Sequence, residues 1–410
     1  LIKSPPTVKL VITAILILYS SLGTGCSADH SFEKHLGAIT RPYHFSIASW
    51  ELEAFGELVR KAFCERQRET GVEASKVSEY YSDVEQIKEI ESEIAAIGSG
   101  KGSASLEMEL SRLQKQNAAL TDTVERTIET QIRATLSQQG IFNPIDKYVG
   151  LKAVFPPVNF VLGVPPHLLV VSPRDRIESL REITLLPEMS VEDMEALENE
   201  VDKLGVSSLV VDLGGLSTYP SYITGRAGLP FTIETAVHEW LHQYLAFKPL
   251  GFRYVLDVSG ICRNYEIATM NETLVSMVSK EIGAMVYNRY YVQSEEGNAE
   301  PAATGSGFDF NQEMREIRRA VDGYLAQGKI EAAEAFMEQK RQYLATKGYY
   351  IRKLNQAYFA FHGTYADSPT SISPIGDEMK KLRSQSASVK DFLETAAAMT
   401  SRQDLSESIK

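Results

Sequence analysis

His238, Glu239 and His242 stand in the order H-E-x-x-H, inside a stretch from Phe231 to Phe247 whose apolar residues repeat at helical spacing. At 3.6 residues per turn, positions 238 and 242 project from one face, a turn apart. Two neutral imidazoles so placed can hold one Zn²⁺ at roughly 2.0–2.1 Å. A carboxylate beside them, here Glu239, can take a proton from water on the metal. Ile233, Val237, Leu241, Tyr244 and Leu245 form an apolar stripe next to the histidines, which puts the ligands at the rim of a buried surface. Glu234, one turn before His238, is a candidate to orient that imidazole. Lys248-Pro249 ends the predicted helix. The competing reading is a pair of histidines that serve core or surface and hold no metal.

A catalytic zinc takes three protein ligands and keeps a fourth position open. The metzincin continuation needs Gly and His after the second histidine, and those places hold Leu245 and Lys248. The remaining source is a carboxylate on a later helix. Tyr265 to Tyr291 reads as a long helix with few charges, and Glu272 shares a face there with Ala268, Val275 and Ser279. A carboxylate on that face is costly to bury unless something compensates it, as a metal does. Glu266 and Glu281 are the alternatives, one near a helix end and one beside Lys280, where solvation is easy.

With His238, Glu239 and His242 followed by Asn271-Glu272 downstream, the stretch from about Val206 to Tyr291 resembles the gluzincin zinc metallopeptidases. The resemblance implies peptide-bond hydrolysis with Glu239 as general base. It also implies a catalytic half in which an edge strand lines the cleft and pairs with extended substrate. Where the aminopeptidase branch carries Gly-x-Met-Glu-Asn, this chain has Gly214-Gly215-Leu216-Ser217-Thr218-Tyr219-Pro220, so internal and terminal cleavage both stay open.

The elements that must position these residues give an α+β, mostly helical expectation. Ser31 to Arg68 reads as helix, with Trp50, Leu52, Phe55, Leu58, Val59 and Phe63 as its apolar face. A coiled-coil hairpin follows. One arm carries Val77, Val84, Ile87, Ile90, Ile94 and Ile97, and Gly98 to Ser103 forms the turn. The other arm carries Leu106, Leu110, Leu113, Leu120 and Val124, with Asn117 as a polar register position. Proline-bounded runs at Val158–Leu162 and His167–Ser172 read as strands, as does Ser208–Leu213 after a helical stretch at Val191–Leu204. His167 reads as structural. Gly214 to Gly228 reads as a flexible loop in which Tyr219, Tyr222 and Arg226 are placed to meet substrate or simply to make a turn. Ser294 to Gly307 reads as a loop. Asn311 to Ala345 reads as a helical hairpin broken near Gln327-Gly328, and Ser373 to Leu405 as two short helices. Between them, Tyr365 first and His362 second are candidates to steady an oxyanion, against a core tyrosine and a capping histidine.

The expected division is a targeting or anchor segment at 1–26, a helical region with the hairpin at 27–145, a zinc metallopeptidase core at 146–295 and helices at 296–410. Lys3 and Lys9, the apolar run Val8–Leu18 and the small residues from Ser20 to Gly25 make a secretory pattern. Cys26 resembles a lipoprotein cysteine, so the expectation is membrane attachment with the remainder outside the cytoplasm. Cys64 and Cys262 could pair in an oxidising compartment but read rather as lone buried thiols, and no cysteine spacing for a structural zinc is present. A net charge of −12 on 410 residues argues against nucleic acid or an anionic membrane surface as partner. The expected partner is a peptide or protein substrate and the expected cofactor Zn²⁺. Two rivals remain: a membrane-anchored scaffold working through its hairpin, and a zinc hydrolase of non-peptide substrates.

Overall fold

The computed structural model describes residues 30–45, 73–97, 104–144, 150, 152–259, 261–292 and 308–409. The targeting segment, Cys26, Cys64, the apolar face from Trp50 to Phe63, the hairpin turn at 98–103 and the 294–307 loop lie outside them. The protein is α+β and mostly helical, with two three-stranded sheets. Helix α1 (His30–Thr40) stops earlier than its sequence suggests, because Pro42 interrupts the ladder and the chain turns through a short 3₁₀ segment to an extended His44. Helices α2 (Ala74–Ile97) and α3 (Ala104–Gln138) pack together as the expected hairpin. Val77, Val84, Leu113 and Val124 are buried in its seam, as is Asn117.

The first sheet has strand order β1 (Phe160–Gly163), β6 (Ser221–Thr224), β5 (Gly215–Leu216), with β1 parallel and β5 antiparallel to β6. The second is antiparallel, with β3 (Arg181–Leu185) and β4 (Val206–Asp212) on either side of β2 (His167–Pro173). The stretch expected as a flexible loop therefore carries two short strands, and the buried Ser221 and Ile223 hold β6 in place. Helix α4 (Val191–Asp202) follows β3 and opens with a capping box between Ser190 and Asp193.

Helices α5 (Leu229–Leu245), α6 (Pro249–Val258) and α7 (Tyr265–Tyr290) form the centre. Lys248-Pro249 does end α5, but the same proline starts α6, where its missing N–H is no loss. Helices α8 (Phe310–Ala326) and α9 (Ile330–Thr346) turn at Gly328, whose φ of 70° favours glycine. The short α10 (Gln356–His362) lies on β2 and β4. Three helices, α11 (Pro374–Gln385), α12 (Val389–Ala397) and α13 (Arg402–Ser408), stand where two were expected.

One large core joins residues of α2, α3, α5, α7 and α11 to α13. The hairpin is thus part of the wall around the central helices: Ile128, Ile132 and Leu136 of α3 are fully buried in that core. A smaller core between α1, α4 and one face of the β3-β2-β4 sheet includes Leu169, Val171 and Leu197. On α3, Glu129 and Glu125 accept the N–H groups of Phe160 and Leu162 at 3.0 and 2.8 Å, closing the outer edge of β1. The fit is geometric, since four helical residues rise about 6 Å and two strand residues advance about 6.6 Å.

Candidate metal centre

Ile233, Val237, Leu241 and Leu245 bury the inner stripe of α5 completely, and Trp240 anchors it by donating its indole N–H to Pro156 O at 2.7 Å. Helix α7 packs along α5. Gly283 permits the closeness, since a Cβ there would stand 3.2 Å from the Cα of Glu234. This packing carries Glu272 to the histidines.

His238 Nε2 and His242 Nε2 are 3.2 Å apart. Glu272 Oε2 is 3.6 Å from the first and Oε1 3.5 Å from the second. Tetrahedral donors around a zinc at roughly 2.0–2.1 Å lie about 3.3–3.4 Å from one another, so this triangle has the size of a zinc site. A hydrogen bond between the two rings would explain only one edge of it. Glu272 Oε2 is buried with no hydrogen-bond partner, which leaves it for a cation. Burial works to raise the pKa of this carboxyl, and the charges and contacts of His242 and His238 outweigh it, holding the group well below the usual range. The donor set of two imidazoles and one carboxylate suits zinc.

Groups behind the ligands fix them. The Tyr254 hydroxyl on α6 donates to Glu272 Oε1 at 2.5 Å, and its ring stacks on His242 with centroids 5.5 Å apart. The Asn271 amide is 3.2 Å from His242 Nδ1, and its Oδ1 is buried without a partner. Turning that amide over sets Oδ1 against Nδ1–H, the tautomer that frees Nε2 to ligate. Sequence reasoning noted Asn271 only as the neighbour of Glu272 and missed Tyr254, because α6 itself went unread.

Glu239 is buried beneath β5. A Cβ on Gly215 would stand 2.5 Å from Glu239 Oε1 and 2.6 Å from Thr235 Cγ2, so this edge strand needs glycine to lie over the carboxylate. Burial raises the Glu239 pKa to about 7; His238 opposes the shift and Glu272 adds to it. Tyr365 stands with its ring 6.2 Å from His238 and its hydroxyl towards Glu272. Burial, then the charges of Glu272 and Glu239, keep that hydroxyl protonated far above its ordinary range.

Other sequence candidates fall elsewhere. His362 packs its ring on Tyr358 and Phe361, at 4.3 and 5.2 Å, and no contact joins it to the His–His–Glu group. Glu234 feels the charges of Lys280 and His238, without a hydrogen bond to the imidazole. Glu266 and Glu281 pair with Arg402 and Arg383 at 3.1 and 2.8 Å, which removes both as ligands. Arg226 binds Glu91 of the hairpin, and Tyr219 turns to Asn159. Tyr222 lines an apolar hollow beside β5 with Phe45, Val164, Pro166, Pro187 and Leu216. His167 pairs with Asp212 at 2.8 Å. Among the described residues no helix is long and apolar enough to cross a membrane, and Cys262 is exposed with a free thiol.

Compared with known proteins, the chain matches no family model, no curated protein and no solved structure.

Proposed function

We propose that the protein is a zinc-dependent peptidase of the gluzincin type, with His238, His242 and Glu272 as ligands and Glu239 as general base. The observation that carries this reading is the zinc-sized triangle with an orphaned carboxylate oxygen, set beside a second buried carboxyl that titrates near neutrality. When bound, zinc would supply Lewis acidity for water and for a substrate carbonyl. Glu239 takes the proton of the attacking water and passes it to the leaving amine. Tyr365 keeps its own proton and donates a hydrogen bond to the developing oxyanion. Tyr254 and Asn271 hold Glu272 and His242 in ligating orientation.

A peptide substrate is favoured by the neighbourhood of Glu239. Among the described residues β5 pairs only with β6, so its other edge offers backbone groups to an extended chain directly above the base. The apolar hollow at Leu216 and Tyr222 is suited to one side chain of that chain. The N-terminal pattern supports a site of action outside the cytoplasm.

Metal analysis and turnover test the reading together. Purified protein should hold about one zinc per chain, lost in His242→Ala and Glu272→Ala. Glu239→Gln should keep the metal and lose hydrolysis of a mixed peptide panel. A folded wild type that takes up no zinc, or cleaves none of the panel, sinks the peptidase reading.

A further inference from the structure

Strand β3 carries a carboxylate that the proposed chemistry does not use. Glu182 sits opposite Val170 of β2, which in turn sits opposite Leu209 of β4, so the three side chains share one face of the sheet. That face is the one α10 covers: Val170 and Leu209 pack on Ala357, with Tyr358 and Phe361 beside them. Helix α10 lies over β2 and β4 and stops short of β3. Glu182 therefore projects beside the helix, open to water. The loop between α6 and α7 closes the same wall, with Arg263 Nη1 donating to Ser179 O at 2.9 Å. Within this enclosure the charge of Glu182 acts on Glu272, Tyr254 and Tyr365. Its only hydrogen bond is at Oε1, from Ser179 Oγ at 2.7 Å. Among the described residues no lysine, arginine or histidine nitrogen lies within 4.0 Å of it; the Arg263 guanidinium, which donates to Ser179 O, acts on it through its charge without direct contact. Glu182 neither ligates nor moves a proton in the proposed chemistry, and its Oε2 accepts no hydrogen bond among the described residues, whereas the neighbouring Asp257 is taken up by the N–H of Asn264.

We propose that Glu182 selects the substrate, by binding a cationic group that the peptide carries, an ammonium or a guanidinium. The inference rests on the peptidase reading and adds to it the class of peptide. A charge-assisted hydrogen bond contributes about 1.5–3 kcal/mol, which converts to roughly a 10–100-fold preference. The group has two possible sources: the α-ammonium of a peptide N-terminus, or a lysine or arginine side chain.

Two pairs of fluorogenic peptides separate these sources. One pair differs only in a free or acetylated N-terminus, the other only in lysine or norleucine at an internal position. The zinc-loaded wild type should prefer the cationic member of one pair by roughly 10–100-fold in kcat/KM, and which pair it is identifies the source. In Glu182→Gln that ratio should fall to about one, and in Glu182→Lys it should invert, with zinc content unchanged. A wild type without preference in either pair, or a ratio that Glu182→Gln leaves intact, overturns the proposal. Fluorescence anisotropy on the zinc-loaded Glu239→Gln protein, with and without Glu182→Gln, reads the same ratio in binding. A chain that binds cationic peptides through Glu182 but hydrolyses nothing would lose the peptidase reading and keep this one.

Discussion

Two tyrosines divide the work around Glu272, and their losses should differ in kind. The Tyr254 hydroxyl donates a hydrogen bond to Glu272 Oε1 at 2.5 Å and its ring stacks on His242, so in the proposed site it supports the metal ligands. Tyr254→Phe should weaken zinc retention roughly tenfold, read by competition with a chromogenic chelator. Tyr365 reaches the group from another element and keeps its proton because burial and the two carboxylates forbid ionisation. Tyr365→Phe should retain zinc and lose roughly 100-fold in kcat, the usual scale for one oxyanion donor. Equal zinc affinity in wild type and Tyr254→Phe would show that the short hydrogen bond has no part in holding the metal. His238, His242, Glu239 and Glu272 were legible in the sequence because their spacing is local to two helices, and because a buried unpaired carboxylate needs a reason. Tyr254 and Glu182 were not legible. Their roles arise from contacts between elements far apart in the chain, and a lone tyrosine or glutamate carries no periodic signal.

At the scale of elements, the long helices and the strands β1, β2 and β4 were readable, whereas α6 and the strands β3, β5 and β6 were not. α2, α3, α5 and α7 announce themselves by apolar repeats sustained over several turns. β5 and β6 contain two and four residues in a Gly-, Ser- and Tyr-rich stretch, too few for alternation to show. Their pairing with each other and with β1 is set by non-local hydrogen bonds. The join of α3 to β1 gives a pH prediction. Burial raises the Glu129 pKa to about 8 against the accepted Phe160 N–H, which lowers it. Between an unfolded value of about 4.5 and the folded one of about 8, the folded chain holds a proton that the unfolded chain has released. This contribution to stability is complete below the unfolded value and is lost as pH rises through the folded one. Glu129→Gln removes the titration while leaving an acceptor for Phe160 N–H. Its Tm should gain on that of the wild type from pH 5 to pH 8.5; parallel curves would refute the account.

Across the whole molecule, the candidate ligands His238, His242 and Glu272 join α5 to α7 inside the core that also holds the hairpin and the C-terminal helices. Anything that binds the folded state alone stabilises it by RT ln(1 + [L]/Kd), about 4 kcal/mol at a thousandfold excess over Kd. Stripping zinc with a chelator should therefore lower the Tm by several degrees, and the drop should vanish in Glu272→Ala. A chelator with no effect on the wild-type Tm would separate the metal from the stability of this core. The shared core also bears on the hairpin, whose arms the sequence shows but whose burial it does not: Ile128, Ile132 and Leu136 are apolar at the right spacing for either a free coiled coil or a packed wall. The closed edge of β1 has a last consequence. A sheet with an unpaired edge strand risks recruiting copies of its own chain along that edge. On β1, Glu125 and Glu129 occupy the donors that such a recruit would need, so α3 closes the sheet on that side.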